Sequence, residues 1–147
     1  MTSFMLDGRS IEAHEGETIL LAAQRHGIEI PRLCFKEGMR ADGNCRACVV
    51  EVKGERTLAP SCCRAVTPGM EVQATSERAL KSQKMVFEML LSDMPDIGYK
   101  WNDASLPLPP GEGRGEGAAV GQHGELSDWA DRLGIQVRPA LDRKSVV

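Results

Sequence analysis

Gly43-Asn44-Cys45-Arg46-Ala47-Cys48-Val49-Val50-Glu51-Val52-Lys53 carries a two-residue cysteine knuckle straight into a β-branched run that stops at Gly54. Branched side chains pack well on a pleated surface, so the run predicts a strand with the knuckle at its mouth. Ten residues separate Cys34 from the knuckle, and thirteen separate the knuckle from Cys62. The intervening stretch from Cys34 to Cys48 holds Gly38 and Gly43 and has no sustained hydrophobic period, which predicts a loop. After a Lys53-Gly54-Glu55 turn, Arg56-Thr57-Leu58-Ala59-Pro60 is expected to pair back as a second strand.

Outward from this loop, the remaining segments alternate between strand and helix patterns. Phe4 to Leu6 and the residues around Ile11 and Ala13 suit two strands joined by Asp7-Gly8-Arg9. Thr18 to His26 has helical spacing, with Gly27 where a left-handed cap belongs. Met70 to Ala74 reads as another strand, introduced by Pro68-Gly69. Thr75 or Ser76 can cap a helix running to about Leu91, whose Leu80, Val86, Phe87, Met89, Leu90 and Leu91 form a broad apolar stripe. Such a stripe is expected to pack on something sizeable.

From residue 96 to 124 the chain is rich in proline and glycine, including Pro109-Pro110-Gly111-Glu112-Gly113-Arg114-Gly115-Glu116-Gly117. That composition buries too little apolar surface to offset ordering, so a low-complexity, disordered linker is expected there. It lacks the Gly-Lys-Ser/Thr end of a phosphate loop. Glu125 to Leu133 reads as a short helix with Leu126, Trp129, Ala130 and Leu133 on one face, within a segment spanning 125–141. Asp142-Arg143-Lys144-Ser145-Val146-Val147 resembles the translation of a sequencing adapter, so 142–147 is expected to be an artefact ending a truncated region.

Composition sets the frame for the chemistry. The 147 residues carry 18 basic and 21 acidic side chains, with no basic block that would neutralise a row of phosphates, so nucleic acid is not an expected partner. No run approaches the length of a membrane span, and the start lacks a signal-peptide pattern; a cytoplasmic location is expected. Five cysteines in a reducing compartment are metal ligands before they are disulfides.

Thiolates are soft donors suited to zinc or iron–sulfur clusters. Structural zinc commonly uses two knuckles facing each other, whereas only one occurs here, and its partners come singly. The spacing therefore favours a [2Fe–2S] cluster, although plant-type ferredoxins space their first two cysteines by four residues rather than ten. Gly38, Gly43 and the small residues of the knuckle would let backbone amides approach the sulfurs. Arg40, Arg46 and Arg64 read as solvated loop charges, and His14 and His26 as surface residues. His123 reads as a linker histidine. Spacing alone does not decide between Cys62 and its neighbour Cys63, whose bland reading is a small buried hydrophobe.

The segments Ile30-Pro31-Arg32-Leu33-Cys34, Gly43 to Val52 and Leu58-Ala59-Pro60-Ser61-Cys62 resemble the N-terminal ferredoxin-like domain of NAD-linked complexes. These include the large iron–sulfur subunit of NADH:quinone oxidoreductase and the diaphorase of NAD-reducing hydrogenase. Gly43 to Cys48, Ala59 to Arg64, Thr67-Pro68-Gly69-Met70-Glu71-Val72, Gln83-Lys84-Met85-Val86 and Leu90-Leu91-Ser92-Asp93-Met94-Pro95 resemble most closely the alpha subunit of the molybdenum-dependent, NAD-linked formate dehydrogenase. The resemblance covers residues 3 to 95. It implies an α+β chain: a β-grasp ferredoxin-like domain over 1–95, then the linker and a short helix. In that family the cysteine after Pro-Ser is the fourth ligand, which implies Cys34, Cys45, Cys48 and Cys62 as the cluster ligands and leaves Cys63 structural.

Members of that family continue with a His-Cys₃ motif, [4Fe–4S] cysteine sets and a molybdopterin region, which these 147 residues do not contain. The expected function is a [2Fe–2S] electron-transfer module, an N-terminal fragment of an NAD-dependent formate dehydrogenase alpha subunit relaying electrons between the molybdenum site and flavin or NAD. Its expected partners are other regions or subunits of such a complex. The fragment alone would carry electrons and hold no catalytic residue. The alternatives are a stand-alone small ferredoxin and a structural zinc-binding module.

Overall fold

The hairpin that opens the chain turns on two residues, Asp7 at φ 48° and Gly8 at φ 80°. Two successive left-handed residues match the twist of the flanking strands, which is why Asp-Gly suits this position. A computed structural model describes residues 1–93 and 125–138. The linker expected over 96–124, His123, the stretch after 138 and the proposed artefact at 142–147 lie outside the described residues. The chain divides into two units, Met1–Phe87 and Glu88–Val147.

In the first unit, β1 (Thr2–Leu6) and β2 (Arg9–Ala13) pair antiparallel with Leu6 opposite Arg9. Helix α1 (Ile19–Arg25) starts at Thr18, whose hydroxyl accepts the Leu21 N–H, and ends at Gly27, which sits at φ 71°. Strands β3 (Val49–Val52), β4 (Ala59–Pro60) and β5 (Glu71–Gln73) complete a five-stranded mixed sheet in the order β2-β1-β5-β3-β4. Only β1 and β5 run parallel among its pairings. The chain is thus α+β, as expected. Its core gathers Phe4, Leu6 and Ile11 from the hairpin, Ile19, Leu20 and Ala23 from α1, and Val50, Val52 and Val72 from the other strands.

Two expectations need correction. The strand expected over 56–60 shrinks to Ala59–Pro60, because the Arg56 carbonyl is taken by the Arg78 guanidinium instead of a strand ladder. The stripe expected on α2 (Glu77–Asp93) is fully buried only at Phe87. Ala79, Gln83 and Phe87 are buried at four-residue spacing, whereas Met89 and Leu90 are exposed and Leu80, Val86 and Leu91 are half-buried. Of the two candidate caps for α2, Ser76 is the one used, its hydroxyl accepting the Ala79 N–H.

In the second unit, the Arg138 guanidinium and N–H both donate to the Glu88 carboxylate, at 2.7 and 3.0 Å. Helix α3 (Glu125–Leu133) ends at Gly134, with the Ile135 N–H reaching back to the Ala130 carbonyl. The helical part of the segment expected over 125–141 therefore stops at Leu133. Arg132 stacks over the Trp129 ring at 4.3 Å from its centroid. Among the described residues no helix is long and apolar enough to cross a membrane.

Candidate metal centre

Three elements converge on the cysteines. The loop between α1 and β3 carries Cys34, Cys45 and Cys48, and Phe35 anchors it by entering the core beside an exposed Cys34. The knuckle needs a left-handed residue, and Arg46 supplies it at φ 58°. That bend leaves Cys48 buried at the start of β3. Cys62 follows β4, and its segment is gripped by the start of α1: Leu20 N–H donates to the Ser61 carbonyl at 3.0 Å and Ile19 N–H to the Arg64 carbonyl at 2.9 Å. The first-turn amides of a helix have no partner within it, so these carbonyls satisfy them and hold the cysteine segment in place.

The sulfurs stand as two pairs. Cys34 and Cys45 are hydrogen-bonded through their side chains, and so are Cys48 and Cys62, with Cys63 also in contact with Cys62. Among the described residues no three His, Cys, Asp or Glu side chains converge on a single ion-sized point. Backbone N–H groups of Asn44 and Cys45 donate to the Cys34 sulfur, and that of Ala47 donates to the Cys45 sulfur at 3.5 Å. Leu33 and Cys34 amides add to the donors around Cys45.

These contacts divide the thiols electrostatically. Burial pushes the Cys34 thiol up, against the amides that favour its charged form. At Cys45 burial also acts upward, but the Ala47, Cys34 and Leu33 amides together with the Cys34 thiol outweigh it and bring the group below its ordinary value. Cys62 is pushed far up, first by burial and then by the neighbouring Cys48 and Cys63. Four soft donors in two pairs fit a two-iron cluster, in which each iron takes two protein ligands. The amides aimed at Cys34 and Cys45 would stabilise negative charge on those sulfurs.

Cys63 departs from its expected role. It is exposed rather than buried, with its sulfur 3.6 Å from that of Cys62, while Cys62 is fully buried. Arg40 and Arg46 are exposed, Arg40 pairing with Asp42 at 3.4 Å, and Arg64 pairs with Glu55, so all three behave as solvated loop charges. His14 and His26 are exposed, as expected. Sequence reasoning missed Ser61 and Gln83, two fully buried polar side chains that contact the backbone next to Cys48.

Residues 1–77 match the model of the 2Fe-2S iron–sulfur cluster binding domain. A subunit of the NADP-reducing hydrogenase of Solidesulfovibrio fructosivorans is 44% identical over 144 residues, covering 95% of this chain and 22% of that protein. The mitochondrial 78 kDa subunit of NADH-ubiquinone oxidoreductase from Candida albicans is 40% identical over 90 residues, covering 61% of this chain and 12% of that protein. This chain therefore spans about a fifth or less of these relatives. A crystal structure of NAD⁺-reducing [NiFe]-hydrogenase in the H₂-reduced state superposes with a TM-score of 0.58 at 37% identity, over 62% of this chain and 38% of that one.

Proposed function

This chain belongs to the [2Fe–2S] iron–sulfur cluster binding domain family, and we propose that Cys34, Cys45, Cys48 and Cys62 hold its cluster in an electron-transfer module of a larger NAD(P)-linked oxidoreductase. The observation carrying this reading is the pairing of Cys34 with Cys45 and of the buried Cys48 with the buried Cys62, beside which Cys63 is exposed. One pair would bind each iron. When bound, the cluster takes up and releases single electrons, spreading the charge over iron and sulfur.

The residues divide the remaining work. Cys48 and Cys62 anchor the buried side, where Val49, Val50 and Ala47 exclude water. Cys34 is exposed, so the Cys34–Cys45 side is the place for electrons to enter or leave. Amides of Asn44, Cys45 and Ala47 stabilise negative charge there without a proton donor. Cys63 is not a ligand in this reading.

The larger assembly is proposed from similarity. Its relatives include subunits of a hydrogenase and of NADH-ubiquinone oxidoreductase. The finer assignment, to the alpha subunit of an NAD-linked formate dehydrogenase, is supported by the sequence motifs of residues 43–48, 59–64, 67–72, 83–86 and 90–95. In that setting formate would be oxidised elsewhere in the parent enzyme, and this domain would pass the electrons on.

The test is reductive titration of the purified, iron-loaded chain. It should accept about one electron per cluster from dithionite and then give an EPR signal of a reduced [2Fe–2S] centre. A colourless chain that binds zinc and takes up no electrons would replace this reading with that of a structural metal module. Reduction of NAD by formate with this chain alone would refute its role as a carrier.

A further inference from the structure

Two of the buried polar side chains of the first unit converge on one short piece of backbone. Ser61 is fully buried, and its hydroxyl donates to the Cys48 carbonyl at 2.7 Å while its own N–H donates to the same oxygen at 3.1 Å. Gln83, on α2, is 1% exposed, and its side-chain amide donates to the Val49 carbonyl at 2.8 Å and to the Ala74 carbonyl at 3.3 Å. The carbonyls of Cys48 and the residue after it are thus each held by a buried donor from another element.

The geometry at Gln83 admits one amide orientation. Both of its polar neighbours are carbonyl oxygens, so the NH₂ group must face them, and the remaining side-chain oxygen is buried with no partner. A buried acceptor without a partner is costly, and an apolar side chain of similar volume would avoid that cost. What an apolar residue could not supply is the pair of donors that join the mouth of β3 to the end of β5. Ser61 is equally committed: its carbonyl accepts the Leu20 N–H at the start of α1, so each of its polar groups is engaged.

We propose that Ser61 and Gln83 are positioning residues for the cluster, acting through the Cys48 backbone. Ser61 fixes the spacing between Cys48 and the adjacent Cys62, the two ligands of the buried pair, and Gln83 prevents the strand mouth that carries Cys48 from shifting. Neither side chain touches iron. Groups that orient metal ligands set both the geometry and the electronic properties of the centre, so loosening this clamp changes the cluster itself.

The inference rests on the ligand assignment above, and the test separates the two. Ser61→Ala, Ser61→Thr and Gln83→Met are compared with Val72→Ala, a core substitution opposite Val52 at the far end of β3 from Cys48. Iron per chain in the unaltered protein reports on the ligand assignment. EPR line shape, midpoint potential and the rate of iron loss to a chelator, at temperatures where circular dichroism shows the chain folded, report on the clamp. Ser61→Ala and Gln83→Met should shift the EPR spectrum and potential and lose iron about tenfold faster. Ser61→Thr, which keeps the hydroxyl, should restore most of the difference, and Val72→Ala should lower the melting temperature without changing the spectrum or potential. If one of the two clamp variants does not fold, the other decides. Folded variants with the spectrum, potential and iron-loss rate of the unaltered chain would overturn the proposal, as would the same spectral shift in Val72→Ala.

Discussion

A Cβ placed on Gly43 would lie 3.0 Å from the sulfur of Cys63, so these residues, one in the cysteine loop and the other beyond β4, meet as closely as their side chains allow. Gly43 is also left-handed, at φ 65°. Gly43→Ala therefore meets two obstacles, a conformation costing roughly 1–2 kcal/mol for an L-residue and a collision with Cys63. The expected outcome is a lower melting temperature and reduced iron content. Adding Cys63→Ala should recover the part due to the collision and leave the backbone part. A double variant no better than Gly43→Ala would show that the contact with Cys63 carries no weight.

Asp7 ties the hairpin turn to the end of β5. Its carboxylate accepts the N–H of Ala74 at 2.9 Å, the N–H of Thr75 at 3.2 Å and the Thr75 hydroxyl at 3.0 Å. Asp7→Ala leaves these donors without that acceptor and should cost about 1–3 kcal/mol in chemical denaturation. Asp7→Asn keeps an acceptor oxygen and the tolerance for a left-handed conformation, so it should lose much less. Equal losses in the two variants would contradict this account.

Acid stability should depend on Glu17. The Arg25 guanidinium, hydrogen-bonded to it at 2.8 Å, holds its carboxyl below the ordinary value of 4.5, outweighing the opposing effect of burial. The folded chain then binds this proton more weakly than the unfolded chain. The pair's stabilisation is complete above the ordinary value and is lost as pH falls through the lowered one. Glu17→Gln should melt earlier than the unaltered chain near neutral pH, with the gap closing as pH falls through the lowered value. A gap independent of pH would show that the lost contact is not electrostatic.

The hairpin and α1 were legible because their signals are local: Asp7-Gly8 in a two-residue turn, and Thr18 and Gly27 at the two ends of a helical period. The cysteine spacing was legible for the same reason. The bond from Arg78 to the Arg56 carbonyl spans 22 residues, and no strand pattern in 56–60 announces it. On α2, counting apolar residues found Phe87 but not the rest of the buried face, which Ala79 and Gln83 complete. Ser61 and Gln83 bond to backbone 13 and 34 residues away, and a lone serine or glutamine carries no sequence signal of such a partner. The exposure of Cys63 depends on how the chain turns after β4, where Cys63 N–H and Arg64 N–H both reach back to the Pro60 carbonyl. Strand alternation could have one of the two cysteines facing inward without saying which.

Counting iron and acid-labile sulfide in single cysteine-to-serine variants tests the ligand set most directly. The unaltered chain and Cys63→Ser should each hold about two irons and two sulfides, with the same EPR spectrum after reduction. Cys34→Ser, Cys45→Ser, Cys48→Ser and Cys62→Ser should each lose the cluster or hold it with a changed spectrum. Loss of the cluster in Cys63→Ser, with an unchanged cluster in Cys62→Ser, would contradict the assignment.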